Sequence, residues 1–149
     1  MTPEHELLEE IRPERERAEL TVEPSSMPYF ELLEKRFPVH GSKIDWDKVP
    51  GAVVQAMQLS DSELYFKEAG SFLEEILVKE QLDGEVQVVV VGDGAMECAL
   101  RMPLKILASC MRRILRMPQH TYVLVPDGSW CMVFTMEGDA CFGRARPTS

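Results

Sequence analysis

Close cysteine or histidine pairs of the kind that announce a zinc site are missing from this sequence. Cys98, Cys110, Cys131 and Cys141 lie 12, 21 and 10 positions apart with no CxxC, and His5, His40 and His120 are scattered. Zinc sites are built from closely spaced ligands, so neither a metal centre nor any other cofactor is expected, and the thiols read as small buried hydrophobes. Long apolar runs are also lacking. The longest, Val86 to Val91 broken only by Gln87, is strand-sized, well short of the roughly 20 residues that a membrane span needs. The first ten residues hold four glutamates and no basic, apolar leader, so no targeting peptide is expected and the location is read as cytoplasmic. No GxSxG, HExxH, kinase or P-loop signature occurs, and Gly92-Asp93-Gly94 alone is too little for a nucleotide loop. An enzyme is therefore not the expectation.

What is present is a chain of 149 residues, 45% hydrophobic and 28% charged, long enough for one core without staples. Its net charge of −9 is unevenly spread, with 19 acidic against 9 basic residues through Gly84 and 6 against 7 thereafter. Such a field repels nucleic acid and anionic membrane and steers a basic protein partner inward.

The stretch from His120 to Gly143 reads as three strands joined by two tight turns. Thr121–Val125 and Trp130–Met136 are rich in strand formers, and Asp127-Gly128 between them is a strong hairpin signal. Glu137-Gly138-Asp139 repeats the device before Ala140-Cys141-Phe142. A meander of this kind needs a cover on its apolar face.

Residues 1–24 carry few apolar positions among dense charge, with Pro13 interrupting, and read as a charged arm or frayed helix; 25–149 read as a single α+β domain. Helices are expected over Met27–Arg36, from Pro50 through Met57, and from a capping box at Ser60–Glu63 to about Gln81. The last buries Tyr65, Ala69, Phe72, Leu73, Ile76 and Leu77 and turns Glu74 and Glu75 outward. Period-two alternation at Met96, Cys98, Leu100 and Met102 makes residues 85–102 a hairpin turning at Gly92–Gly94. Pro103 opens a helix to about Arg116, with Lys105, Arg112, Arg113 and Arg116 along one side. The order is three N-terminal helices, then ββαβββ: a mainly antiparallel sheet of about five strands with helices over one face.

The segment His120–Gly143, with Ser129-Trp130-Cys131, the run TMEGD from Thr135 to Asp139, and Phe142-Gly143, together with YFELLEKRFP from Tyr29, resembles small bacterial immunity proteins of contact-dependent toxin systems. The resemblance covers the layout of residues 27–144, leaves the arm before Ser25 outside, and transfers no binding residue. It implies a non-enzymatic, acidic, cytosolic inhibitor of a cognate toxin domain, commonly a nuclease with a basic cleft.

Candidate partner-binding residues are the carboxylate-flanked aromatic Asp45-Trp46-Asp47, the helix-face pair Glu74 and Glu75, and Asp127, Trp130, Glu137 and Asp139 of the meander. The outward field they create requires that the arginines of the Pro103 helix leave them unpaired. A second expectation is a small enzyme or ligand-binding domain using the Glu137–Asp139 turn with His120, which requires a concave apolar pocket beside them. A third is an adaptor or oligomer subunit associating through Met96–Met117.

Overall fold

The computed structural model describes residues 1–147. Among the described residues, nine strands and five α-helices form an α+β architecture around a seven-stranded, wholly antiparallel sheet. In chain order the elements are α1 (Pro3–Glu10), α2 (Arg12–Glu16), β1 (Thr21–Glu23), α3 (Met27–Arg36), β2 (Val39–His40), β3 (Lys43–Ile44) and β4 (Val53–Ala56). They continue with α4 (Ser62–Lys79), β5 (Gln87–Gly92), β6 (Ala99–Pro103), α5 (Leu104–Leu115), β7 (Thr121–Leu124), β8 (Trp130–Phe134) and β9 (Asp139–Arg144). The sheet order is β1-β6-β5-β7-β8-β9-β4, while β2 and β3 pair separately. Among the described residues no helix is long and apolar enough to cross a membrane.

The ββαβββ core agrees with the sequence reading. β5 and β6 form the expected hairpin, β7 lies beside β5, and α5 crosses between β6 and β7. The sheet is wider than the expected five strands because two N-terminal segments add its edges. Val53–Ala56, expected as helix, is an edge strand on β9, with Val53 opposite Phe142 and Ala56 opposite Asp139. Pro50-Gly51 is a turn, with Gly51 at φ +73 and the Ala52 amide bonded to the Val49 carbonyl at 3.2 Å, so no helix starts there. The β-branched pair Val53-Val54 then favours the extended form.

Residues 1–24 are also corrected: they are not a loose arm. Leu7, Ile11 and Leu20 are buried in the main core, and β1 closes the opposite edge of the sheet against β6. Glu4 Oε1 accepts the amides of Glu97 and Cys98 at 3.1 and 3.0 Å, fastening α1 to the β5–β6 connection. Burial would raise this carboxyl, but a hydrogen bond from the Cys98 side chain, together with those two amides, outweighs it and holds it below the ordinary value.

Helices were expected over one face, yet both faces are covered. Val88, Val90, Val123, Met132 and Phe134 point into the core beneath α1, α4 and α5. Val89, Val91, Tyr122, Leu124, Cys131 and Val133 meet Leu33 and Phe37 from α3 and its sequel, Ile44 of β3, and Val49. The continuous valine run of β5 is what a strand buried on both sides looks like. At α4 the cap is Asp61, whose side chain accepts the amides of Glu63 and Leu64 at 3.0 and 3.2 Å, rather than Ser60.

Candidate binding cleft

On the second face, α3 covers only part of the sheet. The chain from β3 through the 3-10 turn Trp46–Lys48 arches over the ends of β7, β8 and β9 and leaves a cleft of about 320 Å3. Its floor is Tyr122 and Val133, one wall is Ile44 and Trp46, and its polar rim carries Lys43, His120, Thr135, Glu137 and Asp139. Strand alternation sets the floor: Val123 goes to the helical core, so Tyr122 faces the cleft side.

Trp46 is half-buried and works in two directions. It packs on Phe37 with ring centroids 6.3 Å apart, and it rests on Gly143 so closely that a Cβ there would lie 2.8 Å from the indole. Glycine at 143 therefore gives the tryptophan room to lie against β9. The β8–β9 turn is held by the Gly138 amide on the Thr135 carbonyl at 3.2 Å and the Asp139 amide on Thr135 Oγ1 at 2.9 Å. Gly138 adopts φ +93, the left-handed backbone that makes glycine the fitting residue.

The rim electrostatics are specific. Lys43 Nζ donates to Glu137 Oε1 at 3.1 Å, and this bond, backed by the turn amide, keeps the Glu137 carboxyl below the ordinary value. His120 Nδ1 accepts the Met136 amide at 2.9 Å, so the neutral ring carries its proton on Nε2. Among the described residues Asp139 has no hydrogen-bonded or ion-paired side-chain partner, and neither does the hydroxyl of Tyr122. Burial, then nearby charge from Asp93 and other groups including Glu137, pushes the Tyr122 phenol upward.

The nine candidate residues divide among four places. Asp45, Trp46, Asp47, Glu137 and Asp139, separated by some 90 positions in sequence, lie on or beside this cleft. Glu74 and Glu75 are exposed on α4, across the sheet. Asp127 is at the β7–β8 turn, where its carboxylate accepts the Ser129 amide at 2.9 Å and serves the turn itself. Trp130 is a correction: it is buried at 4% exposure against Phe142 in the helical core and offers no anchor to a partner. Sequence reasoning missed Lys43, Tyr122 and Thr135. Alternation marks the side of Tyr122, but nothing local marks Lys43.

The outward field is also smaller than composition implies. The arginines of α5 pair within the chain, Arg112 with Glu63, Arg113 with Glu14 and Arg116 with Glu10. Lys105 of the same helix pairs with Glu85. These pairs lie on the helical side, and Asp47, Glu74, Glu75 and Asp139 remain outside the ion pairs of the described residues. The cysteines are all free and buried, and burial pushes Cys98 and Cys141 up to about 12, so neither is a nucleophile near neutral pH. Comparison with family models and with curated proteins returned no match.

Proposed function

We propose that the protein is a non-enzymatic inhibitor of the immunity type that binds a basic toxin domain through the acidic surface around the cleft. One observation supports this reading above the others. The fold brings the Asp45-Trp46-Asp47 turn and the Glu137–Asp139 turn, far apart in sequence, to one concave surface with a half-buried aromatic at its wall. A desolvated aromatic ringed by charge is the arrangement of a protein-binding hot spot, and unpaired carboxylates speed association with a cationic surface. Pairing of the α5 arginines narrows the acidic surface without removing it from this side.

Co-expression with the product of an adjacent toxin-type reading frame tests the proposal. Growth is rescued by the wild-type chain, and the purified pair associates more slowly as salt rises. Failure to protect and failure to bind contradict it.

The cleft gives a second reading its specific support, because the concave pocket that a small-ligand domain requires lies beside His120, Glu137 and Asp139. His120 Nδ1 is held by the Met136 amide, which leaves Nε2 as the ring atom open to a ligand. Saturable binding of a small molecule with no toxin protection favours this second reading.

A further inference from the structure

Resting on the inhibitor reading, we propose that the cleft is a receptor for a single arginine side chain of the protein partner, held between the aromatic wall and Asp139. Two independent observations meet there. The first is charge: Glu137 is occupied by Lys43 at 3.1 Å, whereas Asp139, half-buried at the start of β9, has no side-chain partner among the described residues. The second is an unpartnered polar group on the floor. Tyr122 is 4% exposed, lines the cleft, and its hydroxyl forms no hydrogen bond to the described residues. Its oxygen is not among the enclosed side-chain atoms left without a partner, so it stays open to solvent and can accept a hydrogen bond from an arriving side chain.

The shape selects the cation. Trp46, half-buried, presents aromatic surface in a cleft of about 320 Å3, at the small end of the range for ligand pockets, which suits one side chain rather than a large cofactor. A guanidinium is planar and weakly hydrated, stacks on aromatic faces, and forks onto the two oxygens of one carboxylate, while its remaining N–H groups reach a phenol oxygen. An ammonium is compact and strongly hydrated and uses neither the aromatic wall nor the fork as well. Lys43 closes one side by engaging Glu137, so the unsatisfied carboxylate is Asp139 alone. His120 Nε2–H, on the same rim, is a donor for a backbone carbonyl of the arriving segment.

N-acetyl-arginine amide, with the lysine and glutamine amides as controls, is titrated into the full chain while the indole and tyrosine ring resonances are followed by NMR. Saturable shifts at Trp46 and Tyr122 with arginine amide, and at least about tenfold weaker binding of lysine amide, are expected. Asp139→Asn weakens arginine binding by about tenfold or more, and Tyr122→Phe, which removes only a hydroxyl, weakens it several-fold. No saturable shift in the wild type, or equal binding by Asp139→Asn, overturns the proposal. The inhibitor reading is judged separately with the toxin domain. A salt-sensitive complex unaffected by Asp139→Asn and Tyr122→Phe overturns the arginine receptor and leaves that reading standing. Arginine-amide binding without any complex supports the receptor and overturns the inhibitor reading.

Discussion

Gly143 and Trp130 show how single side chains divide support from recognition. A methyl group at position 143 would lie 2.8 Å from both the Trp46 ring and Val49 Cγ1, so Gly143→Ala must move the arch that walls the cleft. Overpacking of this kind costs about 1–3 kcal/mol, to be read as a lower urea midpoint, and it also shifts the Trp46 indole resonance. Trp130→Ala acts differently. Because Trp130 is buried against Phe142, its truncation costs about 3–5 kcal/mol in denaturation, and it leaves the surface that meets a partner unchanged in the molecules that remain folded. Sequence alone could not separate the two tryptophans. Asp45 and Asp47 mark one as lying near a surface, but only the alternation from Cys131 to Val133, taken with the packing of both faces, turns Trp130 toward the helices.

Elements with local signals were legible, and elements that depend on distant partners were not. Met27–Arg36 and the hairpins of the meander follow from Pro, Gly and Asp-Gly positions that act within a few residues. Val53–Ala56 was misread because Pro50 can open a helix or a turn, and pairing with β9, some 85 positions away, decided the matter. Likewise Leu7, Ile11 and Leu20 are too few to suggest a core until α5 and β6 are beside them. The cap of α4 provides an element-scale test. Asp61→Ala removes the acceptor of two orphan amides and lowers stability by about 1 kcal/mol in chemical denaturation, whereas Ser60→Ala, outside that cap, has little effect. The cleft was legible only in pieces, since both turns could be named from sequence while their meeting required the full sheet.

At the scale of the whole molecule, ion pairs and unpaired carboxylates occur on both sides of the sheet. On the helical side Arg113 binds Glu14 at 2.6 Å in a nearly closed setting, and this bond holds the Glu14 carboxyl below its ordinary value of 4.5. A depressed carboxyl contributes stability that is present above 4.5 and lost as pH falls through the lower, folded value. Thermal stability therefore declines on acidification below 4.5, and Glu14→Gln, costing about 2 kcal/mol at neutral pH, flattens that decline. On the cleft side Lys48 pairs with Asp45 at 3.8 Å and Lys43 with Glu137 at 3.1 Å, which leaves Asp47 and Asp139 outside the ion pairs of the described residues. The most direct test compares association rates with the toxin domain for two charge reversals, Asp45→Lys with Asp47→Lys beside the cleft and Glu74→Lys with Glu75→Lys on α4. Reversal beside the cleft is expected to slow association by about tenfold or more at low salt, and reversal on α4 by less than about twofold. Equal effects, or a larger effect from α4, would contradict the cleft as the recognition surface.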